Sequence, residues 1–256
     1  MTTALITGAS SGIGKAFAEV FAKNKYDLIL VARREDKIIE IKKDLETKYK
    51  ISVKIVKKDL SEENSAKDLF NSVKEIADID VLVNNAGFGD MGFLVEQDYN
   101  KITKMIDLNI RTLTQLSKLF AEDMTNRKNK SGKESIINIA SIAGFVSGPL
   151  NAVYCATKSY VVSFSCALSN ELKDKGVTVI CLCPGATESE FFRVARVNNA
   201  PTKSMSAISV AEIGFRAMQK KKMLEIAGSK NKLMVFVIRH LPIGLSTRLM
   251  RRRMGK

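Results

Sequence analysis

The sequence predicts a single-domain α/β fold in which a doubly wound parallel sheet of seven strands carries helices on both faces. Short runs rich in Val, Ile and Leu alternate with longer amphipathic segments along the chain. The short runs do not alternate cleanly between polar and apolar residues, which is typical of strands covered on both faces. The 256 residues contain no internal repeat, low-complexity linker or break in composition, so we expect one domain.

Strands and helices are predicted in alternation along the chain. The strands are expected at residues 3–7, 27–32, 52–56, 80–83, 135–139, 177–182 and 223–227. The helices are expected at residues 13–24, 35–48, 62–77, 101–127, 152–173 and 210–221, and the first of them places Phe17, Val20 and Phe21 on one face. Right-handed crossovers between parallel strands turn this order into a doubly wound sheet. Residues 1–228 then form the body of the domain, and residues 229–256 a basic, amphipathic helical extension.

The composition is that of a globular protein, with 45% hydrophobic and 27% charged residues, which excludes bulk disorder. Lys and Arg number 41 against 27 Asp and Glu, which gives a formal charge of +14. This charge favours an anionic partner such as a phosphate, a nucleic acid or an acidic membrane, unless the lysines serve only to keep the surface soluble. Aromatic residues make up 7% and no nucleic-acid module is recognised, so we expect no nucleic-acid partner.

The four cysteines lie in apolar segments, at Cys155, Cys166, Cys181 and Cys183. Their spacing fits neither a CxxC pair nor a disulfide ladder, and with a single His we expect no metal site. We interpret them as buried thiols in a reducing compartment. The first residues lack the pattern of a signal peptide, and the longest apolar run near the C-terminus is six residues, too few to span a bilayer. The prediction is a cytoplasmic protein.

A glycine-rich motif, TGASSGIG at residues 7–14, joins the first strand to the first helix. Gly8 and Gly12 allow a tight turn and a close approach to an anion, and the free N–H groups at the helix start bind pyrophosphate. The strand before and the helix after give the motif the context that a dinucleotide site requires. The residues predicted to contact the cofactor here are Gly8, Ser10, Ser11, Gly12, Ile13 and Gly14.

The end of the second strand indicates which cofactor is used. NAD sites place a carboxylate there for the ribose 2′-hydroxyl. Ala32 occupies this position and is followed by Arg33 and Arg34. A guanidinium pairs with a 2′-phosphate in bidentate fashion, so the sequence favours NADP(H). In the alternative interpretation, both arginines, and Arg34 in particular, are solvated charges in a loop.

A second set of polar residues follows the fifth predicted strand. Tyr154 and Lys158 are four residues apart at the start of a predicted helix, so the phenol and the ammonium share one helical face. Ser141 lies 13 residues before Tyr154, just past the carboxyl end of the strand, where ligands bind in parallel sheets.

Together these motifs resemble the short-chain dehydrogenase/reductase family over nearly the whole chain. The features in the family's order and spacing are the glycine motif, Asn84-Asn85-Ala86-Gly87 after the fourth strand, Asn109, Ser141, Tyr154, Lys158 and Pro184-Gly185. The resemblance implies a Rossmann fold, an NADP-preferring carbonyl reductase or hydroxysteroid dehydrogenase-like enzyme, and a homo-oligomer, either a dimer or a tetramer.

The resemblance also implies roles for the catalytic residues. Tyr154 would be the general acid in reduction and the base in oxidation. Lys158 would lower the pKa of Tyr154 and hold the nicotinamide ribose, and both residues would contact the cofactor. Ser141 would hydrogen-bond the substrate oxygen, and Asn109 would anchor a water that relays protons to Lys158. The remaining residues implied at the cofactor are Asp59, Leu60, Asn85, Ala86, Gly87, Pro184, Gly185, Thr187 and Ser189.

The segments that follow the fourth, fifth and sixth strands are strongly apolar. They favour a lipophilic ketone or alcohol such as a steroid, a bile acid or a similar carbonyl compound. The residues predicted to line the substrate pocket are Ser141, Phe145, Leu150, Tyr154, Phe191 and Phe192. In the alternative interpretation, about half of the apolar residues of these segments only pack a lid against the core. The alternative functions are a 3-oxoacyl-carrier-protein reductase and a non-catalytic NADP(H) sensor.

The C-terminal extension is predicted to form two short helices, at residues 231–240 and 243–253, separated by Pro242. Apolar residues recur at three- and four-residue spacings, and no acid accompanies six positive charges between Arg239 and Lys256. Two interpretations remain open. Either the apolar stripe packs on the body or on a second subunit, or the extension lies on an anionic membrane surface close to lipophilic substrates.

Overall fold

The computed structural model describes residues 2–195 and 204–254, except for the side chains of Phe192, Arg253 and Met254. Within this part of the chain, one parallel sheet has the strand order β3-β2-β1-β4-β5-β6-β7. The strands are β1 Thr3–Thr7, β2 Asp27–Ala32, β3 Val53–Lys57, β4 Val81–Asn84, β5 Ser135–Ile139, β6 Thr178–Cys183 and β7 Leu224–Ile226. The predicted fold class is confirmed, and every strand begins and ends within one residue of its predicted range.

Helices cover both faces of the sheet. They are α1 Gly12–Lys23, α2 Glu35–Tyr49, α3 Ser65–Lys74, α4 Tyr99–Ile106, α5 Leu113–Asn126, α6 Ala152–Leu172, α7 Phe191–Val194, α8 Ala207–Gln219, α9 Ser229–His240 and α10 Ile243–Met254. One core lies under α1, α2 and α8, where Phe21 and Phe215 meet edge to face at 5.1 Å. The second lies under α3 and α5, around Leu69 and Phe120. The all-apolar strands are thus buried from both sides.

Three helices differ from their predicted ranges. The helix predicted at residues 62–77 is confined to α3, which begins only after Asn64, because the left-handed φ of 59° at Asn64 cannot belong to a right-handed helix. The helix predicted at 101–127 begins earlier, where the Asp98 side chain accepts a hydrogen bond from the N–H of Lys101 at 2.7 Å. It is also interrupted by a π-helical segment, Asp107–Thr112, between α4 and α5. Helix α8 begins before the predicted residue 210, because Ser206 caps it through the N–H of Ser209.

The carboxyl ends of β1 and β4 lie side by side at the centre of the sheet. β1 pairs with β2 on one side, with Thr7 opposite Val31, and with β4 on the other, with Ile6 opposite Val83. The chain order reverses here, since β2 and β3 extend to one side and β5, β6 and β7 to the other. Loops that leave the sheet at such a point diverge and open a crevice for a ligand.

A buried chain of amide and hydroxyl groups ties β4 to β5. Asn84 Nδ2 donates to Asn138 Oδ1 at 2.9 Å and to Ser117 Oγ at 3.0 Å. Asn138 Nδ2 donates in turn to Ser165 Oγ of α6 at 2.9 Å. Asn138 is fully buried. The bonds therefore fix the relative positions of two strands whose carboxyl ends both reach the crevice.

Replacing Asn138 tests the contribution of this chain to stability. In Asn138→Ala, Asn84 loses an acceptor and Ser165 a donor, and each buried group left without a partner costs about 1–3 kcal/mol. We expect the free energy of unfolding in urea to fall by at least the lower figure for one group. Asn129→Ala, in an exposed loop, is the matched control. Equal unfolding midpoints for the two variants would contradict the assignment.

Candidate active site

A cavity of about 570 Å³ opens at the carboxyl edge of the sheet. Its walls are the glycine motif before α1, the loops after β2, β3, β4, β5 and β6, and the first turns of α6. The predicted catalytic and cofactor residues that line it are Gly8, Ser10, Ser11, Gly12, Ile13, Arg33, Arg34, Asp59, Leu60, Asn85, Ala86, Gly87, Ser141, Tyr154, Lys158, Pro184, Gly185, Thr187 and Ser189. The fold thus gathers residues from most of the chain into one place.

The glycine motif packs too tightly for side chains. Gly8 and Gly12 have φ of 65° and 52°, a region that favours glycine. A Cβ on Gly14 would lie 2.3 Å from the Gly8 carbonyl oxygen, so Gly14 supports the loop from below and does not line the cavity. Ser11 precedes α1 without capping it through its side chain. Among the residues that the structure describes, no side chain accepts from the first N–H groups of α1, so these groups suit an anion.

A second loop holds the glycine motif in place. Asn85 Nδ2 donates to the carbonyl oxygens of Thr7 at 2.9 Å and Gly8 at 3.2 Å. The Thr7 hydroxyl accepts from the backbone N–H groups of Asn85 and Ala86, both at 3.0 Å. The amide of Asn85 is thus engaged with the protein, and this Thr7–Asn85 bracket fixes the loop after β1 against the loop after β4.

The two arginines after β2 have different surroundings. Arg33 is 72% exposed, and its guanidinium lies 3.6 Å from the Asp59 carboxylate. Arg34 donates to Ser10 Oγ at 3.1 Å and forms an ion pair with Glu190 at 2.8 Å. The interpretation of Arg34 as a freely solvated charge is therefore wrong, because it joins the glycine motif to the segment after β6. With two guanidiniums and a helix N-terminus around it, this end of the cavity fits a dinucleotide that carries an additional phosphate.

Ser141, Tyr154 and Lys158 meet at the other end of the cavity. Ser141 follows β5, and its hydroxyl accepts from the N–H of Ala143 at 3.1 Å. Lys158 Nζ donates to the carbonyl oxygen of Ile139 at 2.8 Å and lies 5.8 Å from the centroid of the Tyr154 ring. Tyr154 and Lys158 are both buried. The trio predicted from spacing is thus assembled in the fold.

Burial sets the protonation of this trio. Desolvation raises the pKa of the Tyr154 phenol above its ordinary value, and the hydrogen bond with Ser141 offsets part of the rise. Desolvation also lowers the pKa of Lys158 to about 8. The resemblance implies a phenol whose pKa is lowered by Lys158, whereas among the residues of this chain desolvation dominates. The phenol therefore holds its proton at neutral pH, as an acid must.

Asn109 lies on the π-helical segment and is buried beside this trio. Its Nδ2 donates to the carbonyl oxygen of Phe88 at 2.9 Å and to Thr157 Oγ1 at 3.1 Å, and its Oδ1 accepts from the N–H of Phe88 at 3.2 Å. The side chain does not line the cavity. In this position Asn109 joins the loop after β4 to α6, and its role in a proton relay stays a prediction.

The predicted substrate pocket is only partly reproduced. Phe191 lines the cavity with its ring centroid 5.2 Å from that of Tyr154. Phe145 lies outside the lining, because it packs against the apolar residues of α6 and β6 with the Arg239 guanidinium 5.9 Å from its ring. Leu150 also lies outside, with its carbonyl oxygen bonded to the N–H of Gly92. The side chain of Phe192 is outside the described residues.

Sequence reasoning missed four polar residues of the cavity wall, which are Lys58, Asn151, Glu190 and Arg193. Asn151 stands three residues before Tyr154, about one helical turn away, and that spacing is the signal that could have found it. Arg193 belongs to the short helix α7, which has no periodicity to reveal it.

The remaining expectations concern metals, membranes and thiols. Among the described residues, no three His, Cys, Asp or Glu side chains form a group able to hold a metal ion. In the same part of the chain, no helix is long and apolar enough to cross a bilayer. The four cysteines are free; three are buried and Cys166 is partly buried.

The pH dependence of stability tests the burial of Lys158. Its pKa is about 8 in the fold and 10.5 ordinarily, so between these values the unfolded chain carries a proton that the folded chain lacks. Stability contributed by this group therefore rises with pH across that window. We expect the rise, measured by urea unfolding, to disappear in Lys158→Met and to persist in the exposed control Lys43→Met. An unchanged slope in Lys158→Met would refute the shifted pKa.

A family model described as short chain dehydrogenase matches residues 2–200. An NADP-dependent 3-hydroxy acid dehydrogenase of Schizosaccharomyces pombe is 40% identical over 192 residues, which cover 74% of this chain and 73% of the relative. A very-long-chain 3-oxoacyl-CoA reductase-B of Danio rerio is 34% identical, covering 71% of this chain and 58% of the relative. Several of the matched relatives are thus appreciably longer than the region they share with this chain.

Among solved structures, a short-chain dehydrogenase from Sphingobium yanoikuyae in complex with NADPH superposes with a TM-score of 0.83. It is 28% identical in sequence, and the match covers 94% of this chain and 97% of that one. The likeness therefore extends past residue 200, where the match to the family model ends.

Proposed function

The chain belongs to the short-chain dehydrogenase family, and we propose that it reduces the ketone of a lipophilic substrate to a secondary alcohol, reversibly and with NADPH. It is an oxidoreductase of the class that acts on CH–OH groups, with NADP(H) as cofactor. The observation that carries the proposal is the trio of Ser141 with the buried Tyr154 and Lys158, at one end of a cavity whose other end suits an anionic dinucleotide. A non-catalytic NADP(H) sensor, the alternative from another class, has no use for a paired phenol and ammonium.

The chemistry divides between the cofactor and the chain. NADPH, when bound, supplies a hydride. The chain supplies the proton: the Tyr154 phenol, protonated at neutral pH by its burial, donates to the carbonyl oxygen as that oxygen becomes an alkoxide. The Ser141 hydroxyl donates a second hydrogen bond to the same oxygen and polarises the carbonyl. Both groups line one end of the cavity, so one substrate oxygen can meet them together.

Lys158 acts by position and charge. Its hydrogen bond to the Ile139 carbonyl oxygen anchors the ammonium at the end of β5 and below the phenol ring. A positive charge there stabilises negative charge on Tyr154 once the phenol has given up its proton. In oxidation the same charge favours the phenolate that removes the proton from the alcohol.

The residues of the cavity wall favour some of the candidate substrates over others. Phe88, Phe191 and Val194 give it an apolar surface suited to a steroid, a bile acid or an acyl chain. Arg193, 76% exposed in the same wall, favours a substrate that also bears an anionic group. The named relatives act on a 3-hydroxy acid and a 3-oxoacyl-CoA, which supports the 3-oxoacyl alternative over the steroid. The finer proposal is therefore a 3-oxoacyl or 3-hydroxy acid substrate with an apolar chain.

The proposal includes the setting in which the enzyme works. We propose a cytoplasmic homo-oligomer, a dimer or a tetramer, that takes small-molecule substrates and binds no nucleic acid. Members of the family are typically oligomers, which supports this arrangement. Peripheral contact of the basic C-terminal extension with an anionic membrane belongs to the same proposal.

Removing the phenol tests the chemistry. We expect Tyr154→Phe to lower kcat about 100-fold or more, because the proton donor is lost, while NADPH binding followed by fluorescence stays near that of the wild type. Cys155→Ala is the control: this neighbouring thiol is buried against Gly148, and we expect it to retain most activity. Ketones, steroids and 3-oxoacyl thioesters are screened side by side. A wild type that binds NADPH but oxidises none of it with any substrate would support the sensor instead.

Removing a guanidinium tests the choice of cofactor. A charge-assisted bidentate pair contributes about 1.5–3 kcal/mol, so we expect Arg33→Ala to lower kcat/KM for NADPH by roughly 10- to 100-fold. The value for NADH should change little, because NADH has no 2′-phosphate. Arg216→Ala on α8, outside the cavity lining, is the matched control. Equal efficiencies of NADPH and NADH in the wild type would contradict the assignment.

A further inference from the structure

The apolar stripe of the C-terminal helices is not used in packing the chain. Helix α9 meets the body through Val235, which is buried, whereas Leu233 and Phe236 are 65% and 63% exposed. On α10, Ser246 is buried and Ile243 is 75% exposed. The first interpretation of the extension is that its stripe packs on the body or on a second subunit, and packing on the body of the same chain is wrong for most of its side chains.

Most of the positive charge on these helices is not compensated by acidic residues. The last acidic residue of the chain is Glu225, and eight Lys and Arg follow it: Lys230, Lys232, Arg239, Arg248, Arg251, Arg252, Arg253 and Lys256. Lys232 pairs with Glu225 at 2.6 Å. Within the described part of the chain, no ion pair engages Arg239, Arg248 or Arg251. The exposed apolar side chains are thus set among unpaired guanidiniums.

A second exposed apolar segment adjoins α10. The turn after β4 places Phe93, Leu94 and Val95 outward, and Val95 is 93% exposed. The Arg251 guanidinium lies 5.0 Å from the centroid of the Phe93 ring, a cation–π contact that joins the turn to α10. We call α9, α10 and residues 93–95 together the basic rim. Glu96 follows Val95 directly and gives this turn one negative charge.

The basic rim lies beside the substrate end of the cavity. The loop that carries residues 93–95 also carries Phe88, which lines the cavity. Further along this loop, the N–H of Met91 donates to the carbonyl oxygen of Ala195 at 3.0 Å, directly after the cavity residue Val194. The N–H of Gly92 donates to Leu150 at 2.8 Å, directly before the cavity residue Asn151. The loop is therefore bonded to two segments that form the cavity wall.

We propose that the basic rim binds the surface of an anionic lipid bilayer, with the apolar side chains among the headgroups and the arginines against lipid phosphates. Charge decides against a second copy of this chain as the occupant, because two such rims face to face would bring like charges together. The consequence for catalysis rests on the proposed function: a lipophilic substrate dissolved in the bilayer would reach the cavity without crossing water.

Flotation of the full chain with vesicles, without substrate, tests the proposal. We expect binding to phosphatidylcholine vesicles containing about 30% phosphatidylserine, and at least a tenfold loss of binding between about 0.05 M and about 0.5 M salt, because the attraction is screened. Vesicles of phosphatidylcholine alone should bind far less. The triple variant R248Q/R251Q/R252Q should lose most of the binding, and Val95→Asp should weaken it through the turn.

The matched control is K37Q/K43Q/K67Q, which removes the same charge from exposed positions on α2 and α3. Equal binding by this control and by the rim variant would overturn the proposal, as would an absence of binding to anionic vesicles. A rim variant that changes the oligomeric mass and leaves vesicle binding unaltered would assign the surface to a second copy. Turnover of a water-soluble ketone, measured separately, should be unaffected in the rim variant. Failure of the enzymatic proposal is therefore distinguishable from failure of this one.

Discussion

The amide of Asn85 is the contact on which the arrangement of the site depends. Helix-start N–H groups attract an anion only when the loop that precedes them is held open in one shape. In this chain the Thr7–Asn85 bracket provides that shape, because it bonds the loop after β1 to the loop after β4 through side chain and backbone at once. The next residues of the β4 loop, Ala86 to Phe88, form the cavity wall, so the dinucleotide end and the reactive end share one support.

From this support a series of polar contacts reaches the reactive residues. Phe88 is bonded to Asn109 in both directions, and Asn109 is bonded to Thr157 on the helix that carries Tyr154 and Lys158. Each of these polar groups is satisfied by a partner in a buried environment, where an unsatisfied group would be costly. The phenol and the ammonium are therefore held in low-polarity surroundings by neighbours that cannot shift independently. That confinement explains why desolvation, and not the mutual charge of the pair, decides their protonation.

Much of the fold was predictable, because it depends on residue patterns within short segments of the sequence. The five inner strands are largely apolar runs that are buried on both faces, and the glycine motif and the Tyr154–Lys158 spacing reflect short-range geometry. The failures have a different origin. The π-helical break, the ion pair of Arg34 with Glu190, and the displacement of Phe145 from the cavity all result from contacts between residues far apart in sequence. No periodicity in a single segment records such contacts. The exposure of the C-terminal stripe likewise depends on which face the rest of the chain covers.

The π-helical segment also limits how this region of the chain can change during evolution. Residues Asp107–Thr112 wind more loosely than an α-helix, so the segment holds more residues than an α-helix of the same rise. A substitution on its outer surface alters one side chain. A deletion of one residue would let the turn close into an α-helix and leave α5 with nearly the same face toward the core around Phe120, because the π turn holds about one residue more than an α turn. The residues of the segment itself would be reoriented, so the two bonds between Asn109 and Phe88 depend on the extra residue. Length is therefore more tightly constrained here than residue identity, and natural variation in this segment should consist of substitutions without insertions or deletions.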